Sequence, residues 1–592
     1  MKTVGTIRRC YRFARYNRRF VEWAIMLHGI LKLEPLVFRD IGAAIAIVPF
    51  IVVAWFWPLL GDRLFTRIER WGRRISLRRT IAVLGTALLV VVLRFSVWPL
   101  MQTPVPHNHD EFSYLLAADT FTHARLASPT HPMWVYLETF HVNQFPMYMS
   151  KYPPAQGLVL ALGQVVGHPW IGVLLSVACL CGAITWALQG WVPLRWAMLG
   201  GVLAATEFGA ANYWTDSYMG GAVAGVGGSL VIGAFPRVLR SQRVRDALLL
   251  ALGMGILANS RPYEGFILSL LIVAALAWRL FRNAKPGVRT ALLRVALPIA
   301  SVLVLTVGLI GYYNWRGTGN PMLMPYVVND RAYKNSAFDW QKRRSQTYLN
   351  PQFDAFYSNP RTGEPSAGYS SMLSGILITM PDKLLKFQAF YFTLEMGIPF
   401  TIALFCLFNN KKVRFCLLVC TVGMAGMLVA LWFNPHYAAP FTAVFFVLIV
   451  FGLRRLRVWQ VDGKPVGLGL VRALVVSHVL LLLASVAAQV LVLQRSHDPW
   501  DRGQARARIQ AQFESMPGQH LVLVRYAADH NPNQEWVYNG AEIDHAKVVW
   551  AREIPGRSNQ PLLDYFRGRT FWLLEADVNP AQLRPLPKLP HT

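Results

Sequence analysis

"TIAVLGTALLVVVLRFSVWPL", residues 80–100, holds a single charged side chain, Arg94. A helix rises about 1.5 Å per residue, so a run of this length crosses a bilayer core of about 30 Å. Comparable apolar runs fall at 170–188, 196–211, 217–235, 246–260, 264–281, 291–313, 386–408, 413–433, 436–452 and 473–493, and another at 41–60 precedes them. Apolar residues make up 54% of the 592-residue chain and charged residues 15%, against about a quarter charged in soluble domains. The expectation is a polytopic α-helical membrane protein of about 11–13 transmembrane helices.

The connections alternate in character. "GDRLFTRIERWGRRISLRR", "RVLRSQRVR", "RLFRNAKPGVRTALLR", "NNKKVR" and "RRLRVWQVDGKPVGLGLVR" are strongly basic. Those between them are polar without that excess: "NYWTDSY", "NSRPYEG", the long segments 101–169 and 314–385, and the tail after 494. Positive-inside bias assigns the first set to the cytoplasm and the second to the outside. The net charge of +28 therefore reflects inner loops, and nucleic acid is not an expected partner. The alternation requires "AQGLVLALGQVVG" (155–167) to lie in the outer interface, because at about 13 residues it is too short to cross. Residues 372–382 have a similar character. The Arg-rich first 20 residues conflict with the rule if 41–60 is a single span, and a hairpin over 21–60 is the alternative.

Three segments follow: 1–79, basic, with one span or hairpin; 80–493, the transmembrane domain with external loops 101–169 and 314–385; and 494–592, external. In the last, "HLVLVRY", "KVVWARE" and "TFWLLEAD" have strand character and "NQPLLDYFRGR" has helical spacing, which predicts a small α/β module. The six cysteines lie mostly in or beside apolar runs and form neither a disulfide framework nor a zinc pattern.

Polar residues gather at the outer span ends. Asp110 and Glu111 stand in "HNHDEFSYLLAADTF" (107–121), and Lys151 and Tyr152 open "SKYPPAQG". Asp216 is in "NYWTDSYMGG", Arg261 and Glu264 in "NSRPYEG", and His436 and Tyr437 in "NPHYAAP". Plainer roles exist for each. Asp110 and Asp216 suit helix N-caps, Lys151 can snorkel, and His436 and Tyr437 suit the interfacial aromatic belt. Arg261 is less easily explained, since positive charge is disfavoured outside; Glu264 is three residues on, in reach of an ion pair. His107, His109, His123, His131 and His141 match no metal-ligand spacing, and no metal or cofactor is expected.

The acidic pair in the first large external loop, followed by a Tyr-Pro-Pro turn into an interfacial helix, resembles the GT-C glycosyltransferases. "HDEFSYLLAADTF", "HPMWVYLETFHVNQFPMYMSKYPPAQG" and "NSRPYEG" are similar to the bacterial RgtA/B/C/D-like and protein O-mannosyltransferase-like (PMT-like) branch, over roughly 80–452. The resemblance implies a polyprenyl-phosphate-linked sugar donor, a glycan, lipid or protein acceptor, and a site facing the periplasm or exterior of a bacterial inner membrane. It maps the catalytic base to Asp110 and a donor-phosphate contact to Lys151 beside Tyr152.

The chemistry suits those residues. One carboxylate suffices to deprotonate an acceptor hydroxyl, and a single displacement inverts the anomeric centre. A fixed cation stabilises the charge growing on the departing phosphate, a role for Lys151 with Arg261, while Glu111 orients the acceptor or the base. Two other readings stay open: a secondary transporter, whose carboxylates usually sit at mid-span in broken helices, and a GT-C relative moving another lipid-linked group.

Overall fold

The structure is a computed structural model that describes residues 43–282, 287–333, 348–358, 372–406, 408–430, 433–495 and 502–586. The expectations for the first 42 residues lie outside that set.

Helix α1 (Ala43–Phe56) is followed by α2 (Asp62–Leu77) and α3 (Arg79–Val97), which contains the opening apolar run. The basic connection before that run is therefore not a loop. It is a helix with Leu64, Ile68, Trp71 and Leu77 exposed among its arginines, the pattern of a helix lying on a membrane surface. Arg472 secures it through ion pairs to Asp62 (2.9 Å) and Glu69 (3.2 Å).

The segment after α3 then forms α4 (His109–Thr122), a short helix α5 (Trp134–Leu137), a hairpin and α6 (Pro154–Val165). The hairpin pairs β2 (Val142–Asn143) with β3 (Met147–Ser150), and β1 (Ser128–Pro129) adds to the other edge of β3. The expected interfacial helix is α6, 12 residues long or about 18 Å. It crosses the next span at a glycine contact. A Cβ on Gly163 would meet the backbone N of Gly172 at 2.4 Å, and one on Gly172 would meet the carbonyl O of Val159 at 2.1 Å. Small residues on both helices permit that approach.

The bundle continues with α7 (Pro169–Trp191), α8 (Leu194–Gly209), α9 (Gly221–Ser241), α10 (Val244–Ala258) and α11 (Pro262–Arg282). Beyond these lie Val288–Thr318, Lys411–Leu428, Pro435–Arg457 and Val466–Arg495. Among the described residues, seven helices are long and apolar enough to cross a membrane, and a bent pair makes a possible eighth. The spans expected at 196–211, 246–260 and 413–433 are helices of 16, 15 and 18 residues. Helix Pro435–Arg457 is the packed centre, 89% buried over its most apolar window. On Val288–Thr318, by contrast, Val304, Leu305, Val307 and Leu309 are 60–72% exposed. An apolar surface of that kind is stable against lipid and not against water. The chain is a multi-pass helical membrane protein.

Two further expectations change. The span at 386–408 is not straight: Thr379–Tyr391 and Leu394–Leu404 meet at 104°. The 372–382 stretch is not a separate interfacial piece, since helix Met372–Tyr391 runs through it into that break, with Pro381 inside. The C-terminal module has the three expected strands, β4 (His520–Arg525), β5 (Val548–Arg552) and β6 (Thr570–Glu575), all parallel. An antiparallel β7 (Gln582–Pro585) completes the order β5-β4-β6-β7, and Gln560–Tyr565 is the expected helix.

Candidate active site

The first turn of α4 separates the two acids of the Asp-Glu pair. Asn108 is the N-cap and Glu111 the third helical residue, so Glu111 reaches back in capping-box fashion. Its Oε2 accepts the backbone N–H groups of His107 (2.9 Å) and Asn108 (3.0 Å), and its Oε1 accepts that of Tyr218 (3.0 Å). Glu111 is 1% exposed. Burial raises its pKa against the lowering effect of those three N–H donors. This carboxylate joins the loops that precede α4 and α9 and is committed to that task.

Asp110 is left with a different one. The capping role that its sequence position allows is taken by Asn108, and its side chain is 26% exposed. Its Oδ1 accepts the Tyr152 hydroxyl and lies 3.5 Å from His141 Nε2. Among the described residues no donor reaches Oδ2. Burial, with the Lys151 charge second, holds the pKa of His141 well below the usual value and favours the neutral ring. Its Nδ1 is buried with no hydrogen-bond partner, so the single ring proton belongs on Nε2, facing the carboxylate.

Local backbone sets these partners. His141 adopts a left-handed φ of 61°, unusual for a side chain with a Cβ. Its carbonyl accepts the Ser113 hydroxyl (2.6 Å) and the Lys151 N–H (3.2 Å), pinning the hairpin to α4. The Tyr-Pro-Pro turn then starts α6 with Pro154 at a position that needs no N–H. Ala155 donates its N–H to the Asn259 carbonyl (2.9 Å), and Gln156 Nε2 donates to the Tyr218 carbonyl (2.8 Å). Three separate interhelical segments are thereby tied around Asp110.

The remaining sequence candidates mostly converge there. Lys151 is 3% exposed, its ammonium 5.2 Å from the ring centres of both Tyr152 and Tyr326. The Arg261 guanidinium lies 4.3 Å over Tyr437 and interacts electrostatically with buried Glu264. The His436 Nδ1 is 3.1 Å from the Tyr213 hydroxyl. Tyr114, Tyr213, His436 and Tyr437 each feel the charges of both Asp110 and Arg261. Tyr152, Tyr326 and Tyr437 are the rings against which the two cations, Lys151 and Arg261, stand.

Asp216 stands apart. Its Oδ1 pairs with Arg94 Nη2 at 2.9 Å, and burial lifts its pKa to about 6 while Arg94 pulls it down. The helix cap expected of it is absent too, since the N-cap of α9 is Gly220. Fully buried Arg94 also donates to the carbonyls of Ala210 and Gln102, both at 3.1 Å. The one charge in the opening apolar run is thus a clamp on the loops at that end of the helix.

Residues that sequence reasoning did not assign are Tyr114, stacked on Tyr152 at 4.5 Å, along with Tyr213, Tyr326 and the role of His141. Tyr114 follows Asp110 by four residues on one helix, a spacing that places both on one face. The C-terminal module closes over the other side of α4. His109 Nε2 lies 2.9 Å from the Pro532 carbonyl, and the Phe112 ring stacks on Tyr538 at 3.8 Å. Beside that stack is a cleft of about 430 Å³ lined by Asp119, Arg506 and Trp550, among others.

No protein-family model matches the sequence, and no curated protein matches it. Among solved structures, the chain is similar to ArnT from Cupriavidus metallidurans in the apo state (14% identity, 83% of this chain and 92% of that one, TM-score 0.48). It is similar also to the same ArnT bound to undecaprenyl phosphate (11% identity, 83% and 93%, TM-score 0.49). A third is the archaeal oligosaccharyltransferase AglB from Archaeoglobus fulgidus, in complex with an inhibitory peptide and a dolichol-phosphate (12% identity, 75% of this chain, TM-score 0.41). This chain spans 62% of the length of that AglB chain.

Proposed function

We propose that the chain is a membrane glycosyltransferase of the GT-C type, moving a sugar from a polyprenyl-phosphate donor to an acceptor at the outer face of a bacterial inner membrane. The observation that carries this reading is the environment of Asp110. A partly exposed carboxylate has one oxygen beside Tyr152 and His141 and the other without a donor among the described residues, and Lys151 and Arg261 stand nearby.

The roles follow from that geometry. Asp110 Oδ2 takes the proton of the acceptor hydroxyl as the hydroxyl oxygen bonds to the anomeric carbon. The bond from that carbon to the lipid-phosphate oxygen breaks on the opposite side, and configuration inverts. Arg261 and Lys151 stabilise the polyprenyl phosphate as it leaves, in a site walled by aromatic rings. Glu111 acts as a positioning residue through the loops it joins. The donor class comes from the motif resemblance, and the identities of sugar and acceptor stay open.

One observation favours the transporter reading: a buried Glu395–His478 pair (3.0 Å) beside a broken helix, where transporters place coupling groups. The external cluster, built on long loops and tied together by backbone hydrogen bonds, has no part in that reading. The experiment uses purified protein with a radiolabelled polyprenyl-phosphate sugar and a membrane-envelope acceptor extract. Release of polyprenyl phosphate with label in the acceptor supports the enzyme. Uptake of label into proteoliposomes without release overturns it.

A further inference from the structure

A second group of ionisable residues lies inside the helical bundle, away from the external loops. Glu207 is near the end of α8, Glu395 is in the first turn of Leu394–Leu404, and His478 is in the middle of Val466–Arg495. One donor atom from each falls within 4.8 Å of the others. His478 Nδ1 is 3.0 Å from Glu395 Oε1 and 3.9 Å from Glu207 Oε2. Such groups are costly among apolar helices and are usually functional. We propose that Glu207, Glu395 and His478 hold a divalent transition-metal cation, of which zinc is the type.

Hydrogen bonding on the far side of the imidazole supports a metal ligand. The Thr206 hydroxyl is 2.9 Å from the Val202 carbonyl and 3.0 Å from that of Leu203, which engage its one proton. Toward His478 Nε2, at 2.9 Å, it is left as an acceptor, so Nε2 carries the ring N–H. Fixing the second nitrogen by a hydrogen bond is how metal-binding histidines are oriented. With Nε2–H fixed, Nδ1 faces two carboxylates at 3.0 and 3.9 Å, so a positive centre, a second ring proton or a cation, belongs between them. The second oxygen of Glu395, Oε2, is buried with no hydrogen-bond partner, in a residue only 3% exposed.

Charge and distance agree with this. Two carboxylates and a neutral imidazole carry two negative charges, which a divalent cation cancels and a single added proton does not. Ligands about 2.0–2.2 Å from zinc in a tetrahedral shell lie roughly 3.3–3.5 Å from one another, and the observed 3.0 and 3.9 Å bracket that spacing. The 104° break gives the site its third helix: Thr393 is the N-cap after the bend, and its hydroxyl donates to Glu395 Oε1 at 2.6 Å. The cation would pin three helices together independently of glycosyl transfer.

The test uses the full chain purified in detergent without chelator. After zinc loading and desalting, elemental analysis is expected to find about one zinc per chain. Cobalt in its place is expected to give visible d–d absorption of a low-coordinate site, and a strong chelator to lower the melting temperature. Glu395→Gln and His478→Ala are expected to weaken zinc affinity at least tenfold. Wild-type protein that retains no metal, or that melts at the same temperature with zinc and with chelator, overturns the proposal even if the variants do not fold. Unchanged stoichiometry in folded variants overturns it as well.

Discussion

The Tyr152 hydroxyl donates to Oδ1 of Asp110, joining the Tyr-Pro-Pro turn to the acidic pair across 42 residues of sequence. Two motifs that look independent in the chain are one unit in the fold. Tyr152→Phe removes that donor but keeps the ring stacked on Tyr114. The expected result is a folded protein with turnover reduced about tenfold, on the order of one lost hydrogen bond to a charged group. Donor KM should change less than kcat, because the hydroxyl orients the base and does not hold the lipid. Steady-state kinetics at saturating acceptor check this.

Glu111→Gln should behave in the opposite way. A neutral amide keeps one acceptor oxygen where the carboxylate offers two to three backbone N–H groups, and each buried donor left unmet costs about 1–3 kcal/mol. The melting temperature is expected to fall by several degrees, while activity per folded molecule falls less than in any Asp110 variant. A Gln variant as stable as wild type would contradict the joining role.

How much of this was legible in the sequence depends on the kind of signal. The spans were, because hydrocarbon length imposes an apolar run on the chain. The parallel strands around Leu521–Val524 were also, because buried strands must be apolar along their whole length. The break at Phe392–Thr393 was not, since both halves of it are apolar and neither glycine nor proline sits at the bend. That Asp110, Lys151, Arg261 and Tyr437 stand near one another was legible in the loop pattern, since all fall at ends of apolar runs on one side of the alternation. The division of labour between Asp110 and Glu111 was not. It depends on which residue caps α4, and Asn108 and Asp110 are equally good caps on paper. Asp216 was grouped with the site for the same reason of topology, but its partner, Arg94, sits inside an apolar run where pairing is invisible.

His109 gives the stability a pH dependence that can be measured. Burial lowers its pKa from 6.5 to about 4, so the unfolded chain takes up its proton first. Its contribution is fully present above pH 6.5 and is lost as pH falls from 6.5 toward about 4, with a slope of up to about 1.4 kcal/mol per pH unit. His109→Phe keeps an aromatic ring on Phe140 and should flatten that part of the curve. Thermal melts of both proteins from about pH 7.5 down to about pH 4.5, which covers most of the window between the unfolded and folded values, would show it. Parallel curves would assign the dependence elsewhere.

Lys151 and Arg261 are expected to divide the handling of the donor phosphate. Arg261→Lys retains charge but loses the planar fork and its stacking on Tyr437. Transfer should slow by about 10–100-fold, the order of losing one electrostatic stabiliser of a leaving group, with less effect on stability than Arg261→Ala. Lys151→Met keeps the buried stem between Tyr152 and Tyr326 and removes only the ammonium. Unchanged kinetics in Lys151→Met would return Lys151 to a packing role and leave Arg261 as the clamp.

Asp110→Asn separates catalysis from structure most sharply. The helix cap belongs to Asn108 and the loop junction to Glu111, so an amide at 110 takes nothing from the scaffold. It still accepts the Tyr152 hydroxyl through its carbonyl oxygen, which preserves the turn. What it loses is the basic oxygen that faces away from Tyr152. A folded protein with a near-wild-type melting temperature and transfer slowed by roughly 10²–10⁴-fold is the expected result, the usual range for loss of a general base. Polyprenyl-phosphate release by the purified variant, measured beside its thermal melt, decides the matter. Activity within about tenfold of wild type in a folded variant would remove Asp110 as the base and leave it a positioning residue for Tyr152.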